Sequence, residues 1–168
     1  MSLFSILGKG LKAMYQEATT PESFKTGEKF EDYVRNELFI DKYYDLIERT
    51  HNYDTNKKDF VEATLKPDFK FRDRLTKKEF YVEAKFRASA YNGKIIWCSD
   101  SQMQRYRNYH RNTPVFVILG MGENPKDPGF LALMSLPNAK YTGLFPSYVK
   151  GFEIKTLKPI ASKTLWSK

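Results

Sequence analysis

The chain is predicted to fold as one α/β domain, a central mixed β-sheet flanked by helices. Three observations carry that prediction. The 168 residues suit a single domain with a sizeable core. Two continuous apolar runs, VFVILGMG (115–122) and FLALMSL (130–136), read as strands buried on both faces. Finally, helical and strand-like segments alternate in the order α-α-β-β-β-β-α-β-β, with no internal repeat, linker or low-complexity tract.

The elements are justified in turn. In MSLFSILGKGLKAMYQEA, residues Leu3, Phe4, Leu7, Leu11, Met14 and Tyr15 recur at roughly helical spacing, which predicts a docking helix. Two lysines and a glutamine interrupt it, and no small-residue cleavage site follows. It reads neither as a membrane span nor as a signal peptide, so no membrane partner and a cytoplasmic location are expected. Residues 1–22 form a helical extension and 23–168 the main domain. Within that domain Phe30, Tyr33, Val34 and Leu38 predict a helix over 23–39. YYDLIERTHNY (43–53) predicts a strand before a polar turn at 54–58. Strands at 67–73 and 79–87 are joined by the charged loop 74–78.

Asn92-Gly93 marks a turn, and Lys94–Cys98 is a short apolar strand. Ser99-Asp100-Ser101 supplies N-cap chemistry for a helix over 101–111, which Thr113-Pro114 breaks. After the two buried strands, FEIKTL (152–157) alternates like an edge strand.

Composition narrows the function. One cysteine, Cys98, excludes an intrachain disulfide framework, and His51 and His110 stand alone without zinc spacing. The net charge of +8 is uneven: residues 1–56 hold 7 basic and 10 acidic side chains, residues 57–168 hold 21 and 10. Such a bias favours a polyanion, nucleic acid before membrane, although a merely soluble basic protein shares it.

Charges on the strand pair 67–87 are the informative feature. In β-strands side chains alternate faces. Phe80, Val82, Ala84 and Phe86 therefore point one way, and Tyr81, Glu83, Lys85 and Arg87 the other. Asp68, Lys70 and Arg72 share one face opposite Phe69 and Phe71. A hairpin about 75–76 pairs position 68 with 83 or 84, bringing the Asp68 carboxylate beside Glu83, with Lys85 one pleat on. Two converging carboxylates repel unless a cation sits between them, and Mg²⁺ is the usual hard ion where phosphate is the substrate. The adjacent lysine is placed to orient or deprotonate a water, or to steady phosphate charge. The bland alternative is a solvated face on which Asp68 and Glu83 pair with Lys70, Lys85 or Arg72.

Pro67-Asp68 followed by Glu83-Ala84-Lys85 resembles the core of the PD-(D/E)XK nuclease superfamily, the restriction-endonuclease-like fold. GEKFEDYVRNELF (27–39) resembles that family's first core helix, with Glu31 at the position of its metal-site glutamate. Helical projection alone does not choose between Glu31 and Glu37. Gln102-x-x-x-Tyr106 resembles the QxxxY helix of the RecB-like branch, and packing against the sheet is the other reading for Tyr106. These elements span residues 27–106 in the family's order.

The resemblance implies a metal-dependent nuclease. Asp68, Glu83 and the main-chain carbonyl of Ala84 would hold Mg²⁺ or Mn²⁺, Lys85 would position the attacking water, and Glu31 would serve a second ion or its water. Gln102 and Tyr106 are nominated, on the same ground, for the nucleic-acid side. Between 66 and 111 there are twelve Lys and Arg against five Asp and Glu. Lys70, Arg72, Arg87, Arg105 and Arg107 are candidates for phosphate contacts. Tyr81, Tyr91 and Tyr106 are candidates for stacking, with packing as the alternative. DNA is expected before RNA, and a homodimer is open to a chain of this size. The rival readings are a nuclease fold that grips nucleic acid without cutting, and a subunit whose basic face meets an acidic protein.

Overall fold

The computed structural model describes residues 21–50, 66–154 and 158–168. The predicted N-terminal helix, His51 and the polar turn at 54–58 lie outside the described residues. Helix α1 spans Pro21–Tyr33 and runs on as a π-turn over Val34–Leu38, closed by the Phe39 N–H donating to the Val34 carbonyl at 2.9 Å. It therefore starts earlier than the predicted 23–39 helix and is not α-helical to its end. The wider turn accommodates Leu38 and Phe39, sequence neighbours that are both fully buried.

Strands β1 (Tyr44–Arg49), β2 (Phe69–Asp73) and β3 (Glu79–Arg87) form an antiparallel meander. Then come β4 (Ile95–Ile96), helix α2 (Asp100–His110), β5 (Val115–Met121), β6 (Phe130–Ser135) and β7 (Gly143–Leu144). The short helices α3 (Pro146–Val149) and α4 (Ser162–Trp166) follow. The central sheet has the order β1-β2-β3-β5-β6. β3 and β5 are parallel, connected across one face by α2, and every other neighbouring pair is antiparallel. The sheet is mixed, as expected.

One expectation is corrected, and a second is met only by a single bridge among the described residues. The apolar run 94–98 yields only β4, which pairs with β7 in a separate two-stranded sheet rather than joining the central one. The turn at Asn92 (φ 47°) and Gly93 (φ 73°) folds the chain back on itself, with Tyr91 bridging Lys94, so few residues remain for a ladder. In FEIKTL no edge strand forms among the described residues. Lys150–Phe152 is a 3₁₀ turn, Glu153 makes a single bridge to Ala132, and residues 155–157 lie outside the described residues.

The strand alternation sorts the core into two layers. Phe69, Phe71, Phe80, Val82, Phe116, Ile118 and Leu133 face α1 and the C-terminal segment that ends in α4. Val115, Val117, Leu119 and Met134 face α2, α3 and the small sheet. Gly120 lets α1 approach closely, because a Cβ there would lie 2.4 Å from Cε2 of Phe30. The C-terminal segment is held by polar bonds: Tyr44 donates to the Ile160 carbonyl, and Ser162, Thr76 and Trp166 all donate to Oδ2 of buried Asp73. Among the described residues no helix is long and apolar enough to cross a membrane.

Candidate functional site

The site grows from the place where β2 stops pairing. Its register, Phe69 opposite Val82, sets Asp68 opposite Glu83. Thr50, at the end of β1, clamps the chain there: its N–H donates to the Asp68 carbonyl at 2.8 Å and its hydroxyl to the Pro67 carbonyl at 2.9 Å. With the ladder ended, the Ala84 N–H would lack a strand partner. Oδ2 of Asp68 accepts it at 2.8 Å. In a strand the N–H and C=O of one residue leave on the same side, so the Ala84 carbonyl also points beyond the last β2 pair.

Glu83 projects from β3 towards α2. Its Oε1 accepts from Lys85 Nζ at 2.6 Å and from the Tyr106 hydroxyl at 2.6 Å. The Tyr106 ring stacks on Trp97, centroids 5.8 Å apart and planes inclined by 14°. Exposures of 2% for Glu83, 7% for Asp68 and 6% for Glu31 show that three carboxylates are withdrawn from water. The face is therefore not solvated, although the Glu83–Lys85 pairing expected of a plain charged face is present. The outer charges form their own group, Glu79 taking Lys70 at 2.6 Å and Arg72 at 2.9 Å.

Burial and mutual repulsion dominate the electrostatics. Burial raises the Asp68 carboxyl well above its usual range; Glu83 and Glu31 push it further, against the pull of Lys85 and the Ala84 N–H. Burial also carries Glu31 up to about 7, with Arg49 opposing, Glu83 reinforcing and Lys85 opposing. Burial depresses the Lys85 ammonium, but Glu83 and Asp68 outweigh it and the net shift is upward. Burial, followed by Glu83 and Asp68, raises the Tyr106 hydroxyl well above its usual value, so it stays a donor.

No protein-family model, curated protein or solved structure matches this chain.

Carboxylate and carbonyl oxygens are the donor types that a hard divalent cation takes. Buried carboxylates that repel one another are relieved by positive charge, and Mg²⁺ typically takes one or two carboxylates while keeping its remaining ligands from water and substrate. Among the described residues no group of three or more His, Cys, Asp or Glu side chains stands close enough to hold an ion by side chains alone. Asp68, Glu83 and the Ala84 carbonyl are the groups from which a cation site could be built here. Glu31 senses both through space, while its Oε2 lies 3.6 Å from Arg49 Nη2.

Other nominated residues are placed elsewhere. Gln102 is the N3 member of a capping box: its Oε1 accepts from the Ser99 N–H at 3.0 Å, and its own N–H donates to Ser99 Oγ at 3.2 Å. Arg87 bonds to the Ile96 and Trp97 carbonyls at 2.7 and 3.0 Å, and Arg107 to the Lys140 carbonyl at 2.9 Å. Arg105 is half-buried, its Nε without a partner among the described residues. Tyr81 packs edge-on against Tyr109, and Tyr91 is exposed. Glu37, the geometric alternative to Glu31, is exposed.

Sequence reasoning missed Arg49, Thr50 and Trp97. A lone arginine and threonine at a strand end carry no motif. Trp97 is fully buried, and one signal for it existed: it stands two residues ahead of the helix cap at Ser99.

Proposed function

We propose that the protein is a metal-dependent nuclease of the PD-(D/E)XK type, hydrolysing phosphodiester bonds on a restriction-endonuclease-like core, in DNA before RNA. One observation supports this above all others: Asp68, just ahead of β2, and Glu83, on the neighbouring strand β3, are both buried, and Lys85 Nζ lies 2.6 Å from Glu83 Oε1. The order of the parts also supports it. Glu31 on α1, Asp68 ahead of β2, Glu83 and Lys85 on β3, and Tyr106 on α2 act on one another electrostatically or by hydrogen bond.

In this reading Asp68, Glu83 and the Ala84 carbonyl hold Mg²⁺ or Mn²⁺. When bound, the ion supplies Lewis-acid stabilisation of the scissile phosphate and the leaving 3′ oxygen. Lys85 positions the attacking water, and Tyr106 fixes the Glu83 carboxylate. Glu31 adds a third carboxylate to the field of the site.

The test is a panel of linear, circular, nicked and branched DNA, each with Mg²⁺ and with EDTA. Cutting is expected only with Mg²⁺. Asp68→Asn and Lys85→Ala are expected to lose about a hundredfold or more. Variants that cut at the parent rate overturn the mechanism.

One observation favours a second reading, a nuclease-like fold that binds nucleic acid without cutting it. Glu83 Oε1 is already engaged by both Lys85 and Tyr106, a buried network that is satisfied without an ion. Calorimetric titration of Mg²⁺ and Mn²⁺ separates the two, since only the catalytic reading requires heat of binding that Asp68→Asn abolishes.

A further inference from the structure

Helix α2 presents a second stripe away from Tyr106. Asp100 and Arg107 on it, with Arg111 at its C-cap, recur at helical spacing and line one wall of a groove of about 1070 Å³. The opposite wall comes from Lys94, Lys140, Tyr141 and Phe145. Of the charged residues lining it among those described, four are cations and one, Asp100, is an acid. Of the three exposed aromatic residues lining it, Tyr141 at 62% and Phe145 at 58% are more open than Tyr148 at 44%. Each of the first two has a lysine ammonium over its ring at 5.1 Å from the centroid: Lys140 over Tyr141 and Lys94 over Phe145.

The platform is fixed in place. Arg107 donates to the Lys140 carbonyl at 2.9 Å, and the Trp97 indole donates to the Tyr141 carbonyl at 2.7 Å. The main chain that carries Tyr141 is thus tied to α2 on one side and to the buried Trp97 on the other. Exposed rings held on a rigid backbone lose little freedom when a flat ligand stacks on them.

We propose that this groove binds single-stranded nucleic acid. The cations meet phosphates, and Tyr141 and Phe145 stack on unpaired bases. A duplex keeps its base faces inside and has none to offer these rings. An acidic polypeptide satisfies the cations but leaves both rings in water, so charge and ring chemistry together select the nucleic acid. Neither Asp68 nor Glu83 lines the groove, and the inference requires no cleavage.

The experiment is fluorescence anisotropy of a labelled oligothymidylate of about a dozen nucleotides, titrated with the full chain in EDTA. Affinity is expected to fall steeply with salt. Tyr141→Ala/Phe145→Ala should bind about tenfold or more weakly, with an unchanged thermal unfolding midpoint. Lys140→Glu, an exposed change, supplies an independent variant and should weaken binding and flatten the salt dependence. Parent-like affinity in both variants overturns the proposal. So does parent binding of polyglutamate as tight as that of the oligonucleotide, which assigns the groove to an acidic protein. Binding in EDTA without cutting in Mg²⁺ leaves the groove standing and removes only the nuclease reading; cutting without an effect of these variants does the reverse.

Discussion

The Tyr106 hydroxyl donates to Oε1 of Glu83 across 2.6 Å, tying helix α2 to the carboxylate at the centre of the sheet. The bond is buried, and its acceptor is a carboxylate, which makes it stronger than a neutral pair. Tyr106→Phe keeps the ring on Trp97 and removes only that donor. It should destabilise the fold by about 1.5–3 kcal/mol, measured by urea denaturation. Tyr106→Ala also empties the space against Trp97 and should cost about 3–5 kcal/mol. Equal stabilities of Tyr106→Phe and the parent would show that the bond carries no weight.

Metal linkage is the second prediction. Glu83 raises the Asp68 carboxyl and Lys85 offsets this only in part, so an ion that binds only the folded chain should stabilise it. At a hundred times its Kd that stabilisation is about 2.7 kcal/mol, roughly 5–10 °C in Tm for a chain of this length. Asp68→Asn should lose the Mg²⁺-dependent rise. Without metal its Tm should equal or exceed that of the parent, because one buried repelling charge is gone. A parent Tm indifferent to both Mg²⁺ and Mn²⁺ sinks the metal site.

Particular residues show why the site was partly legible. Apart from the amphipathic Tyr81, the stretch 79–87 alternates apolar and charged side chains, which marks β3 from end to end, and the short loop 74–78 leaves little choice of register for Asp68. Ser99-Asp100-Ser101 marked the start of α2 for the same local reason, while the reciprocal bond between Gln102 and the cap appears only in the structure. Glu31 and Glu37 were inseparable by a 3.6-residue projection, and the helix departs from that period at Val34–Leu38, leaving Glu37 exposed and Glu31 buried. Arg87 illustrates the other limit. Beside an acidic site it reads as a phosphate ligand, yet the turn at 92–93 returns the chain so that Ile96 and Trp97 offer it their carbonyls. No spacing in the sequence encodes that closure.

Asp73 supplies a pH prediction. Burial pushes its carboxyl up, but the Ser162, Trp166, Thr76 and Leu75 donors outweigh burial and hold it below the ordinary 3.8. A depressed folded-state pKa contributes stability that is fully present above the ordinary value and is lost as pH falls through the folded value. Asp73→Asn should therefore be less stable than the parent at pH 7 by about 2–3 kcal/mol. The gap should narrow below about pH 4. Chemical denaturation at pH 7, 5 and 3.5 checks it, and a gap that widens towards acid contradicts the assignment.

The last prediction joins the fold to the site through Gly120 and Phe30. A Cβ at 120 would stand 2.4 Å from Cε2 of Phe30 and 3.2 Å from Cδ2 of Phe86. The Phe30 ring is buried between α1 and the sheet, so it has no open space to swing into. Gly120→Ala should therefore push α1 outward, costing about 1–3 kcal/mol. Glu31 follows Phe30 on that helix, so the same displacement should move its carboxylate and lower any Mg²⁺-dependent activity. Phe30→Leu makes room at that contact. The double variant should then be more stable than the sum of the single effects by about 1 kcal/mol, measured in a double-mutant cycle. Strict additivity would mean that the Gly120 contact does not set the position of α1.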